Sequence, residues 1–269
     1  MSVLFITGAG RGIGAETARL AIARGHRVAI ADIDADAARS MAGSLGENAL
    51  AIELDVRDAA GWTRALDEAW ARFDGVDVLV NNAAVVHSGL LHELALDAHR
   101  QILEVNVLGV IAGIQAAVPR LLERGRGHIV TVASAQSFVA VPGEISYAAT
   151  KHALRAISHG LALELRDTPL RFTIVYPPAV ETPMLESLMD DDANAIAFAD
   201  PPMPASVVAE AILKAVDRRP AEVFIPPFRG RLLRELGTRP AIMRRLLLSA
   251  EKRGRKMLAE LRRQRRGGL

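Results

Sequence analysis

Seven short apolar runs limit what this chain can fold into more tightly than any other feature: Val3 to Thr7, Val28 to Ala31, Leu50 to Leu54, Val76 to Val80, His128 to Val132, Phe172 to Tyr176 and Val223 to Ile225. They are apolar throughout rather than at alternate positions, the pattern of strands covered on both faces. Between them lie stretches of helical period, among them Glu16 to Ala23, Ala59 to Ala71, Arg100 to Leu122 and Lys151 to Leu165. Strands alternating with helices build βαβ units. The expectation is therefore an α/β fold, a single doubly wound parallel sheet of seven strands with helices on both faces. Met184 to Pro204 interrupts the rhythm with Asp190 to Asp192 and then Pro201, Pro202 and Pro204. Following a strand and preceding a helix, it reads as a lid over the strand ends, with the acidic run as a solvated loop.

Charge divides the chain. Arg229 to Leu269 carries 14 Arg or Lys against Glu235, Glu251 and Glu260, a net of +11, which leaves the preceding 228 residues at −9 within an overall charge of +2. We read 1–228 as the doubly wound domain and 229–269 as a basic amphipathic extension of two or three helices, separated near Gly237 and Pro240. Its apolar residues cluster as Leu232, Leu233 and Leu236, then Ile242, Met243, Leu246 and Leu247, then Met257, Leu258 and Leu261. Two roles stay open for it: a cap over a pocket or subunit edge, and a surface lying on an anionic membrane. Nucleic acid is disfavoured as a partner, because no aromatics interleave the basic residues. No run of about 18 apolar residues and no secretory signal is present, so a cytoplasmic location is expected, peripheral to the membrane if the extension meets lipid. The chain has no cysteine, which excludes a disulfide scaffold, a thiolate nucleophile and a thiolate-held zinc. Its seven His are scattered, and no metal site is expected.

The first strand runs into Thr7-Gly8-Ala9-Gly10-Arg11-Gly12-Ile13-Gly14, and a helix follows. Glycines there let the backbone turn sharply and approach a pyrophosphate, whose charge then sits at the helix N-terminus. The second strand ends at Asp32, 18 residues after Gly14. A carboxylate at that point accepts both ribose hydroxyls of an adenosine and repels a 2′-phosphate, so the reading is NAD in preference to NADP. Arg11 argues the other way, since a guanidinium in this loop can pair with that phosphate. Asp55 and Val56, closing the third strand, fit either the adenine edge or, for Asp55, an N-cap of the next helix.

Tyr147-Ala148-Ala149-Thr150-Lys151 lies on an expected helix and starts 13 residues beyond Ser134, itself at the end of a strand. Lysine four residues after tyrosine shares its helix face. The chain uses Arg over Lys by 29 to 4 and has no Lys before Lys151, so a compact, tunable amine is specified there. Together with Thr7 to Gly14, with Asn81-Asn82-Ala83-Ala84 after the fourth strand, with Asn106 and with Pro177-Pro178-Ala179-Val180-Glu181-Thr182 after the sixth, these residues resemble the short-chain dehydrogenase/reductase family from Ser2 to about Ile225. Ala84 and Pro178 stand where that family has glycine. The resemblance implies a Rossmann-type domain, a dinucleotide held also by Asn82, Ala83, Ala84, Tyr147, Lys151, Pro177, Val180 and Thr182, and catalysis by Asn106, Ser134, Tyr147 and Lys151. In chemical terms Tyr147 is the acid/base. Lys151 is expected to lower its pKa and to bind the nicotinamide ribose. Ser134 steadies the substrate oxygen, and Asn106 holds a water or carbonyl that links Lys151 to solvent.

Segments at the strand ends, Val85 to Ser88, Gln136 to Val141 and the lid residues Met184, Leu185, Leu188, Met189, Ile196 and Phe198, are mostly apolar. The expected reaction is hydride transfer between NAD(H) and a hydrophobic alcohol or ketone. Two alternatives are an NADPH-dependent reductase of 3-oxoacyl thioesters and a non-catalytic dinucleotide sensor. The resemblance further implies a homodimer or homotetramer, for which Ile111, Ile114 and Val118 with Ala153, Ile157 and Leu161 offer apolar stripes.

Overall fold

In the computed structural model, which describes residues 1–267, the seven apolar runs become β1 (Val3–Thr7), β2 (Arg27–Asp32), β3 (Ala49–Glu53), β4 (Val78–Asn81), β5 (Gly127–Val132), β6 (Leu170–Tyr176) and β7 (Glu222–Phe224). All pair in parallel, in the order β3-β2-β1-β4-β5-β6-β7. Alternate residues of each strand point to opposite faces. Val3, Phe5 and Leu79 therefore pack with Trp62, Leu66, Ile114, Leu121 and Leu154, from α3 (Ala59–Phe73), α5 (Gly109–Glu123) and α6 (Ile145–Glu164). Leu4, Ile6 and Val80 pack on the other side with Ala18, Ala21, Ala38, Ile212 and Leu213, from α1 (Gly12–Ala23), α2 (Ala35–Leu45) and α8 (Ala205–Arg218). Burying side chains of this size is worth about 1.5–3 kcal/mol each, which is why runs apolar throughout end inside.

Between β4 and β5 the chain forms α4 (Leu96–Leu103), one π-helical turn (Glu104–Leu108) and α5 without a break. This 28-residue helix, with a mean hydropathy of 1.7 over its most apolar stretch, is by length and composition apolar enough to cross a membrane. Counting uninterrupted apolar runs missed it, because Gln101, Asn106 and Gln115 break the run. Here it lies against α3, and a side chain on Gly113 would come within 2.6 Å of the Trp62 ring. The stripes expected to pair subunits are largely intramolecular: Ile114 is in the core, and Val118, Ile157 and Leu161 pack against it. The large apolar residues left exposed on these helices are Leu96, Leu103, Leu108, Leu122, Ile145 and Leu163.

Among the described residues the extension is two helices, α9 (Pro227–Gly237) and α10 (Pro240–Gly267). They cover the carboxyl end of β6 and β7, where Met243, Leu233 and Leu236 join Phe138, Tyr176 and Phe224. Arg244, Arg245, Lys252 and Lys256 remain exposed on α10.

His128 is buried in β5, with Nε2 2.8 Å from Thr173 Oγ1, whose hydroxyl donates to the Pro220 carbonyl. The ring must therefore carry its proton on Nε2. Nδ1 is buried without a partner. Burial, and next the charge of Arg219, hold its pKa down at about 4. An unfolded chain takes up this proton near pH 6.5 and the folded chain only near 4, so stability falls as pH drops through that window. At roughly 1.4 kcal/mol per pH unit the loss amounts to about 3 kcal/mol. Urea midpoints measured from pH 7 to 4.5 should fall with this slope, and His128→Gln should flatten it; an unchanged slope in the variant would remove His128 from the account.

Candidate active site

The crevice opens where strand order reverses, between β1 and β4. Gly8 and Gly12 hold φ of 62° and 59°, a region that glycine enters freely. A Cβ on Gly14 would stand 2.3 Å from the Gly8 carbonyl oxygen, so the loop closes on α1 only with glycine there. Thr7 and Asn82 fasten this loop to β4. The Asn82 amide donates to the Thr7 and Gly8 carbonyls at 2.9 and 3.1 Å, and Thr7 Oγ1 accepts from the Asn82 and Ala83 backbone N–H groups, both at 3.0 Å.

Asp32, buried at the end of β2, accepts from the Gly10 N–H at 2.8 Å and the Asp34 N–H at 3.0 Å. Arg11 forms an ion pair with Asp34, the residue that caps α2 by accepting from Ala37 N–H. Its guanidinium is thus already matched to a carboxylate. Asp55 is gripped by Arg57 at 2.6 and 3.0 Å, a contact that holds its carboxyl below the usual range. The helix after it begins at Ala59, so the N-cap reading of Asp55 does not hold.

Ser134 lies two residues beyond β5, and its Oγ accepts from the Gln136 N–H at 3.1 Å. Tyr147 and Lys151 share one face of α6. Lys151 Nζ donates to the Val132 carbonyl at 3.1 Å and sits 5.2 Å from the centroid of the Tyr147 ring. Burial pushes the phenol of Tyr147 well above its ordinary value, the Glu144 carboxylate pushes it further, and a hydrogen bond with Ser134 opposes both. Burial pushes the Lys151 ammonium down to about 8. Among these influences the downward pull on the phenol comes from Ser134, while the Lys151 ammonium donates to the Val132 carbonyl and lies over the Tyr147 ring.

Asn106 is placed by the π-helical turn, which rotates its side chain inward. Its amide closes two bonds with the Val85 backbone, donating to the carbonyl at 2.9 Å and accepting from the N–H at 2.8 Å, and it also donates to Thr150 Oγ1 at 3.3 Å. This side chain clamps the irregular stretch of chain after β4 to the long helix.

A cavity of about 990 Å³ runs from Gly8, Arg11, Gly12, Ile13 and Asp32, past Asp55, Val56 and Asn82 to Ala84, to Ser134, Tyr147 and Lys151, and on to Pro177, Val180 and Thr182. Thr7, Gly10, Gly14 and Asn106 are not in its wall; they shape the residues that are. A glycine cradle too tight for any Cβ, opening into a helix N-terminus and facing a buried carboxylate, fits a dinucleotide at one end of this space. Toward the other end the wall is Val85, Val86, Val139, Val141, Met184 and Leu185, joined by Leu233, Met243, Leu246 and Arg253 of the extension. Met189 and Phe198, expected to line it, pack instead with Leu258 and Leu261 of α10. Glu144, three residues before Tyr147, was not singled out from the sequence, and Gln136 entered only as one end of a mostly apolar segment.

Asp190 and Asp192 of the acidic run stay exposed to solvent, and both also meet the extension. Arg262 donates to Asp192 at 2.7 Å and to the Met189 carbonyl at 2.6 Å, and Arg265 lies 3.8 Å from Asp190. The charge imbalance between body and tail was the signal that could have found these contacts.

A family model described as short chain dehydrogenase matches residues 2–193. The 3-alpha-(or 20-beta)-hydroxysteroid dehydrogenase of Mycobacterium tuberculosis is 36% identical over 189 residues, 70% of this chain and 73% of that protein. Dehydrogenase/reductase SDR family member 7B of Rattus norvegicus is 27% identical over 269 residues, covering 95% of this chain and 83% of its own. In a solved structure, the 3-ketoacyl-(acyl-carrier-protein) reductase of Brucella melitensis complexed with NADH has a TM-score of 0.77 at 29% identity, over 83% of this chain and 96% of that one. The matched family segment stops inside the lid, so it includes Asp190 and Asp192 but not their partners Arg262 and Arg265. Arg262→Ala should raise chymotrypsin cleavage within Met184–Pro204 several-fold, while Arg263→Ala, on the exposed side of α10, should not. Equal cleavage of the two variants would mean that something else holds the lid.

Proposed function

This chain belongs to the short chain dehydrogenase family, and we propose that it interconverts a hydrophobic alcohol and its ketone using NAD(H). The observation that carries this reading is the convergence of Ser134, Tyr147 and Lys151 on one large, mostly apolar cavity. Bound there, the nicotinamide supplies or accepts the hydride. Ser134 and Tyr147, themselves hydrogen-bonded, take the substrate oxygen between them. In the reducing direction Tyr147, whose proton is held firmly by burial, donates it to the carbonyl oxygen as charge develops there. In the oxidising direction the phenolate must be stabilised, and Lys151, 5.2 Å from the ring, is the cation available to do so. Asn106 acts as a positioning residue through Val85.

The preference for NAD rests on Asp32, whose buried carboxylate faces the cavity, and on Arg11, whose charge is matched by Asp34. A 2′-phosphate brought to this point meets an anion and no free guanidinium among the groups named, which weighs against the NADPH-linked thioester reductase. In equilibrium titrations the protein should bind NADH about tenfold or more tightly than NADPH, and Asp32→Ser should narrow the gap; tighter NADPH binding to the native protein would overturn the assignment. Tyr147→Phe should keep NADH affinity while kcat falls by about a hundredfold or more, since general acid–base catalysis typically contributes at least that factor. A near-native kcat in this variant, on any alcohol the protein oxidises, would sink the mechanism.

A further inference from the structure

We infer that Glu144 and Gln136 form a polar subsite for a second hydroxyl of the substrate, so that the preferred substrates are compact diols or hydroxyketones with an apolar body. This rests on the oxidoreductase reading above and specifies its substrate class.

Glu144 is 4% exposed, and both residues line the cavity beside Val139 and Val141. The Gln136 amide donates to Glu144 Oε2 at 2.9 Å. With Glu144 ionised, that bond fixes which way the Gln136 amide points, since only its nitrogen can donate to a carboxylate. Two oxygens are then left over: Glu144 Oε1 and Gln136 Oε1 are both buried and neither has a donor among the described residues. Buried acceptors are almost always satisfied in folded proteins, and an exception in the wall of a ligand cavity points to a donor on the ligand. Burial pushes the Glu144 carboxyl up to about 7, as a buried carboxyl short of donors should be.

The donor is better neutral than cationic. Glu144 stands at the N-cap of α6, three residues before Tyr147 and seven before Lys151, and all three line the cavity, so an ammonium held at Glu144 would share it with the Lys151 ammonium. A hydroxyl has no such conflict, and it can donate to either orphan oxygen. The same spacing puts this second hydroxyl about one turn from the residue that handles the reacting oxygen. Mono-alcohols filling the same space leave both acceptors unmatched. Sites built to bond a hydroxyl discriminate strongly against analogues that lack it.

The test compares NAD⁺-linked initial rates on matched pairs, cyclohexanol with cyclohexane-1,2-diol and 1-indanol with indane-1,2-diol. The native enzyme should favour each diol in kcat/KM by about tenfold or more. Glu144→Leu should bring the ratio close to one, chiefly through the KM of the diol, whereas Glu144→Gln, which keeps an acceptor oxygen, should retain most of the preference. Thermal melting and NADH titration establish that each variant is folded. A native ratio near one overturns the subsite, and so does a Glu144→Leu variant in which both members of a pair fall equally, the outcome of a merely structural role. If no alcohol is turned over, the oxidoreductase reading has failed, and the subsite is then read from the melting shift of the NADH complex. A shift with the diol and not the mono-alcohol supports it; equal shifts overturn it.

Discussion

Helices that follow β1 and β4 leave the sheet on opposite faces, so the loops ahead of them splay apart and no main chain bridges the gap. Every other part of the site depends on how that gap is kept from closing or widening. Three side chains set its width. Asn82 and Thr7 tie the glycine loop to the end of β4, and Asn106 ties the next stretch of chain to the long helix by both polar groups of Val85. All of these are amide or hydroxyl bonds to backbone, which are short-range and directional, so they fix position without bringing charge into a cleft meant for an anionic ligand.

The far half of the cleft works by a different economy, that of desolvation. Tyr147 and Lys151 are both driven toward their neutral forms by the protein around them, the first upward and the second downward. Each shift alone would make a poor acid–base pair. Together they leave the proton on the phenol and an amine that is easily adjusted by what lies next to it. Glu144 enters this balance as well, because its carboxyl pushes the phenol further up from one turn away along the same helix.

The parallel sheet was legible because each strand is buried on both faces, and burial writes an unbroken apolar run into the sequence. Tyr147 and Lys151 were legible because their relation is local to one helix. What escaped was non-local or conformationally subtle. Asn106 lies in a π-helical turn, and the residues Glu104 to Leu108 carry no propensity signal that separates it from an ordinary helix. Lys151 finds its acceptor at Val132, 19 residues back and across a strand end. Arg11 and Asp34 sit 23 residues apart, so the loop's guanidinium looked free when it is spoken for. Arg262 meets Asp192 across 70 residues, and neither end of that pair announces its partner.

One close approach has a bearing on how the molecule comes into being. Gly254 lets α10 lie so near the turn Asp192–Phe198 that a single methyl group there would fall 1.7 Å from the Ala195 carbonyl oxygen. The segment that seats against this turn leaves the ribosome after all seven strands have been made. During synthesis the sheet and the side chains proposed to act in catalysis are therefore available to organise first, as N-terminal portions of chains generally do, while the cavity still lacks the side that α10 supplies.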